Sequence, residues 1–461
     1  MKNFLIFVCF LCLLSSSSLL YAQKLKPFKQ GDRVVFAGNS ITCGGHYHAY
    51  IWLYYMTRFP DMRIDIFNEG IGGDTAGLIY ERLDKVLEHE PTVLTLTFGM
   101  NDTGYMPPER QGADSVAMAH LKKAYEAYVL LEEACKKHTR SEKILIGGSP
   151  YEETARFGRG APLIGKNKRI QQIGMLLEES ARKNKWGFVD FNQPMVDINT
   201  REQQVDPGFT LCGRDRIHPT TDGHTVMAYF FLKAQGLAGK PVADILIDSQ
   251  NKKIEKAENC RLSGLTIQPE QISFIYQANS LPFPVSEAAY ENEKQTPADA
   301  MKVIPFMDEM NHEGLCIKGL SNGYHLLKIN GEIIKRFTAQ ELGRGINMAG
   351  LKHTPQYKKA LKIMELNEKR WLKERQMREF FWVEYNLMRK TSMLWACNDA
   401  AVDTLRKYAP NDIFLQWNGE YWLKFRNKGI REDCVNEQQQ LINRIYSENK
   451  PDKLVFLIEK I

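Results

Sequence analysis

Gly38-Asn39-Ser40-Ile41-Thr42 sets a serine in a glycine-led turn, and Asp215-Arg216-Ile217-His218-Pro219 sets an aspartate three residues ahead of a histidine. On a tight loop, a carboxylate at that spacing reaches the imidazole Nδ1. It fixes the tautomer and leaves Nε2 free to take a serine proton. Between these two segments lie Asn68-Glu69-Gly70-Ile71-Gly72-Gly73-Asp74-Thr75 and Gly99-Met100-Asn101-Asp102. A glycine-rich loop can offer bare backbone N–H groups to an anion. An asparagine amide can stabilise a developing oxyanion, an interaction worth about 10²–10³ in rate. Each segment alone is ambiguous: Gly-x-Ser is a common turn, Asn-Asp favours an Asx turn, and a lone histidine is often structural. A dinucleotide fingerprint is excluded, because Gly70 and Gly72 begin its spacing but Thr75 holds the third glycine position.

The elements that must position these residues are legible as alternating patterns. Short apolar runs at 34–37, 64–67, 93–98, 144–146 and 187–190 alternate with helical patterns at 47–58, 75–89, 114–137 and 166–183. Strand and helix in alternation predict a parallel sheet with helices on both faces. Active sites of such sheets sit at the carboxyl ends of the strands. The first three chemical segments each follow a strand directly, and Asp-x-x-His lies near the end of the same unit.

These four blocks, in this order, resemble the SGNH (GDSL-type) hydrolase family over about residues 31 to 236. The resemblance implies a three-layer α/β/α sandwich. It implies Ser40 as nucleophile, His218 as general base and Asp215 as the group that orients it. It also implies an oxyanion hole made by the Ser40 backbone N–H, Gly73 and Asn101. Asn39 departs from the pattern, since the family usually has Asp there; the position is outside the triad, and the change removes a charge beside Ser40. His46 and Tyr105 are expected to border the site and contact substrate. His46-Tyr47-His48 lacks the acidic or cysteine partners of a metal site, so neither metal nor cofactor is expected.

The chain has 461 residues, enough for two or three domains. The boundaries read as a signal peptide over 1–22, the hydrolase domain over 23–240, a β-rich module over 241–350 and a helical region over 351–461. Lys2, the apolar run from Phe4 to Leu14 and the small residue at Ala22-Gln23 carry the signal-peptide reading. A secreted or periplasmic bacterial protein is therefore expected, with no stable membrane insertion after cleavage. Asn330-Gly331 between two strand-like runs predicts a hairpin. Tyr357 to Met388 reads as one long charged helix. Basic and acidic residues number 61 and 55, a mixture that gives no reason to invoke nucleic acid. Seven scattered cysteines lie beyond the signal segment, and buried free thiols are preferred over a disulfide framework.

The resemblance implies hydrolysis of an ester through an acyl-serine intermediate. Gln277 to Pro284 and Gly345 to Ala349 are similar to C-terminal extensions of secreted proteins from polysaccharide-degrading systems. Removal of O-acetyl groups from a polysaccharide is therefore the first expectation. Two alternatives stay open: a lipid or small-molecule esterase, and a glycan-binding protein whose hydrolase unit is inactive.

Overall fold

The computed structural model describes residues 25–106, 112–157, 161–288 and 293–461. The segment read as a signal peptide, 1–22, lies outside the described residues. Five strands, β1 (Arg33–Gly38), β2 (Asp65–Gly70), β3 (Val93–Phe98), β4 (Glu142–Gly147) and β5 (Gly187–Asp190), form a parallel sheet in the order β2-β1-β3-β4-β5. Side chains alternate across it. Val34 and Phe36 join one core with the helices Tyr47–Arg58 and Thr221–Ala234, while Val35 and Ala37 join a second with Ala113–Lys137 and Lys166–Asn184. Burial on both faces explains why the strands read as unbroken apolar runs. The three-layer α/β/α architecture is the one the sequence predicts.

Nine more strands build two further sheets: β6 (Ala243–Asp248), β7 (Lys253–Glu258), β8 (Cys260–Gln268), β9 (Gln271–Ala278), β10 (Glu313–Lys318), β11 (Tyr324–Ile329), β12 (Glu332–Thr338), β13 (Ile346–Asn347) and β14 (Leu454–Lys460). One runs β13-β10-β6-β7, the other β12-β11-β14-β9-β8, and a single apolar core joins them. Asn330 and Gly331 turn the β11–β12 hairpin with φ of 52° and 84°, the left-handed pair that a tight hairpin turn needs. The junction between the hydrolase domain and the β-rich module is held firmly: Arg58 donates to the carbonyls of Lys240 and Pro241 at 3.0 and 2.7 Å.

The region read as helical over 351–461 is helical for most of its length but also holds a strand. The chain's final segment is β14, paired antiparallel between β9 and β11. Its Leu454, Phe456 and Ile458 alternate inward and fill the sandwich core. The long helix, Pro355–Val383, starts at Thr354, whose side chain accepts from Tyr357 N, with Pro355 in the first turn. It passes into a π-helical turn, Glu384–Met388. Ala360, Ile363 and Leu366 pack into the hydrolase core together with Ile442 and Ile445 of the helix Lys428–Glu448, so this region and the parallel sheet share one interior. The described cysteines are all free. No helix among the described residues is long and apolar enough to cross a membrane.

Candidate active site

Ser40 leaves β1 and opens a short helix, Ser40–Gly44, capped by Asn39, whose Oδ1 accepts from Ile41 N at 3.0 Å. An aspartate would cap the same way, so the departure at Asn39 keeps the turn and changes only the charge. Gly38 is required by close approach: a Cβ there would lie 2.3 Å from Thr42 Oγ1.

Asp215 and His218 sit on a loop drawn shut by the Cys212–Pro219 bridge and by Gly213 N donating to His218 O at 2.7 Å. Arg216 takes a left-handed φ of 67° there. Its buried guanidinium donates to the carbonyls of Glu152 and Ala155, which pins the loop to the segment that follows β4. His218 Nε2 lies 2.8 Å from Ser40 Oγ, and His218 Nδ1 lies 2.6 Å from Asp215 Oδ2. Asp215 Oδ1 also accepts from the backbone N–H groups of Ile217 and His218. Burial pushes the Asp215 carboxyl up, but the bond from His218 and these backbone donors outweigh it and hold it below the usual carboxylate range. Asp215 is therefore ionised at neutral pH and orients the imidazole, Nε2 faces the serine, and the three groups form a hydrogen-bonded relay.

The second and third blocks meet beside Ser40. Gly73 adopts φ 87°, open to glycine and strained for other residues. Asn101 Nδ2 donates to Asp74 O at 2.9 Å, and the Tyr105 hydroxyl donates to Asn101 Oδ1 at 2.8 Å. Asp74 O can only accept, so these two partners fix which way the amide faces and leave its second N–H unspent. Asp102 joins the blocks, accepting from Ala76 N and Gly99 N at 2.8 Å each. Buried Lys166 braces the turn after Asn101 through Met100 O (2.6 Å), Thr103 Oγ1 (2.8 Å) and Gly104 O (2.6 Å), with its ammonium 4.0 Å above the Tyr105 ring.

Ser40, His218, Gly73, Asn101, His46 and Tyr105 all line one cleft of about 690 Å³. Asp215 stands behind His218. The His46 ring is buried, stacked 4.0 Å from Trp371, with Nε2 3.5 Å from Glu368, so its polar tip faces the long helix. The outer wall was invisible to sequence reasoning. Arg375, Glu379 and Trp382 of the long helix, Asn386 of the π-turn, and Phe414 and Trp417 of the helix Ile413–Phe425 complete the cleft. They lie over 300 residues from Ser40, and nothing in their spacing separates them from ordinary packing residues.

Residues 36–226 match the GDSL-like lipase/acylhydrolase family, and residues 361–450 match the diltiazem deacetylase C-terminal helical domain. The chain is 43% identical to a gut microbial diltiazem-metabolizing enzyme, over 95% of this chain and 100% of that one, with a TM-score of 0.93. It is 22% identical to an acetylxylan esterase from Geobacillus stearothermophilus, over 45% of this chain and 94% of that protein. The crystal structure of Axe2, an acetylxylan esterase from the same organism, covers 46% of this chain and 97% of its own, with a TM-score of 0.36.

Proposed function

Since the chain belongs to the GDSL-like lipase/acylhydrolase family of SGNH hydrolases and is a carboxylic ester hydrolase, we propose that it removes acetyl groups from esters of bulky, ring-bearing alcohols. The carrying observation is the Ser40–His218–Asp215 relay opening into a cleft walled by aromatic side chains of the C-terminal helices. Similarity along the whole chain to a diltiazem-metabolizing enzyme, and the match to a deacetylase helical domain, support acetyl as the acyl group.

The wall supports the alcohol. Phe414 meets Trp417 at 88° and Trp382 at 42°. Rings at such angles make a corner, which encloses an apolar body on two sides. A run of sugar rings would stack better on a flat platform, and for that reason the acetylated polysaccharide expected from sequence becomes the second arm of the test.

In the proposed reaction, Ser40 Oγ attacks the ester carbonyl carbon as its proton passes to His218 Nε2. The carbonyl oxygen becomes an oxyanion held by the N–H groups of Ser40 and Gly73 and by the free N–H of Asn101. Asp215 stabilises the imidazolium without taking its proton. Collapse breaks the bond to the alcohol oxygen, which leaves with the proton from His218. Water then gives a proton to His218, attacks acetyl-Ser40 and releases acetate, and the proton returns to Ser40.

The test is acetate release from a polycyclic alcohol acetate, acetylated xylan and p-nitrophenyl acetate, with Ser40→Ala alongside. Release from the first and third, reduced by roughly 10⁵–10⁶-fold in the variant, is the expected result. Faster turnover of xylan would overturn the alcohol assignment and restore the polysaccharide. We also propose export with a mature chain beginning at Gln23, checked by N-terminal sequencing of secreted protein.

A further inference from the structure

The long helix lays one row of side chains along the second block. Glu374 Oε1 accepts from Asn68 N at 2.8 Å, Arg378 Nη1 pairs with Glu69 Oε1 at 2.7 Å, and Trp382 Nε1 donates to Gly72 O at 3.1 Å. Residues four apart share a helix face, so the three partners are met in chain order. Arg82 grips the same segment from the other side, with Nε 2.7 Å from Asp74 Oδ2 and Nη2 2.7 Å from Glu69 O. Burial pushes the Glu69 carboxyl up, but Arg378, His89 and Arg82 outweigh it and hold it at about 2.

The last of these contacts bears on the chemistry. Gly72 O and Gly73 N–H belong to one peptide unit, which is planar and trans. Fixing the carbonyl toward the indole therefore fixes the N–H in the opposite direction. The unit is flanked by two glycines, which leave it free to flip unless something holds it. Gly72 admits its holder: a Cβ there would stand 3.0 Å from both Cδ1 and Nε1 of Trp382, and 3.9 Å from Ser40 Cβ. Among the described residues, nothing accepts a hydrogen bond from the Gly73 N–H.

We infer that Trp382 is a positioning residue for the oxyanion hole: its indole clamps the Gly72–Gly73 peptide so that the Gly73 N–H faces the oxyanion. This rests on the acyl-serine reading above. The hole is thus completed by the C-terminal helical region, through a bond that also polarises the peptide and strengthens its N–H as a donor.

The test uses the full chain with p-nitrophenyl acetate, an ester whose single-ring leaving group is too small to depend on the cleft wall. Trp382→Phe keeps a ring and removes the donor. We expect kcat to fall about tenfold with KM within about twofold. We also expect the inhibition constant of a trifluoromethyl ketone, which forms the tetrahedral adduct, to rise by the factor lost in kcat/KM. Gly72→Ala, which pushes the indole away from the opposite side, should do the same, and it decides the matter if Trp382→Phe does not fold. Wild-type kcat in the folded variants, or a loss confined to KM, overturns the clamp. Turnover by Ser40→Ala would instead overturn the acyl-serine reading beneath it.

Discussion

The Tyr105 hydroxyl donates to Asn101 Oδ1 at 2.8 Å while Asn101 Nδ2 donates to Asp74 O at 2.9 Å, so the amide is gripped at both ends. Tyr105→Phe removes one grip and leaves the other. Because the ring is substantially exposed, the thermal midpoint should hardly move. The expected change is a kcat lower by roughly three- to tenfold at constant KM, measured with p-nitrophenyl acetate. Asn101→Ala removes the donor itself and should cost about 10²–10³.

Lys166 spends its ammonium on three acceptors beneath that amide. Lys166→Met fills the space but strands the acceptors, each worth about 1–3 kcal/mol when buried without a partner. Urea unfolding should show a loss of roughly 3 kcal/mol or more, and kcat should fall with it, because the turn carrying Asn101 loses its support.

Asn39→Asp restores the acidic residue usual in the family. The cap to Ile41 N survives, so the fold should persist. The melting temperature of the variant, measured by thermal unfolding, should match that of the wild type.

Glu313 lies far from the cleft, buried in the β-sandwich, where Tyr276 OH and Gln356 Nε2 donate to its Oε1. Burial pushes its carboxyl up from 4.5 to about 7. The folded state then holds a proton that the unfolded state releases. Its contribution to stability is full below about 4.5 and is lost as pH rises through about 7. Glu313→Gln removes the charge and should raise the melting temperature at pH 8 while changing little at pH 4.

Trp417→Ala should lower kcat/KM for a polycyclic alcohol acetate relative to ethyl acetate by about tenfold, the worth of one aromatic contact. An unchanged ratio would remove the aromatic corner from substrate recognition.

The site was legible where it is local. Ser40, Gly73 and Asn101 follow three successive strands, and Asp215 precedes His218 by three residues, so strand periodicity and turn chemistry bring them to one sheet edge. Tyr105 was legible for the same reason, being four residues from Asn101. Trp382 and Trp417 were not, because a tryptophan on a helix carries no local sign of which distant segment it meets. Arg216 and Lys166 escaped for a related reason: their roles are hydrogen bonds to backbone carbonyls, which no sequence pattern displays. Leu454 to Ile458 alternates as a strand should, yet its partners β9 and β11 lie more than 120 residues earlier.

That strand gives the helical region two moorings. The chain enters the long helix directly from the turn after β13 and returns through β14, which must part from two neighbours at once to come free. A segment tied at both ends cannot swing aside as a lid does on one hinge. The helix Ile413–Phe425, which carries Phe414 and Trp417 of the cleft wall, therefore lies within a closed span of chain.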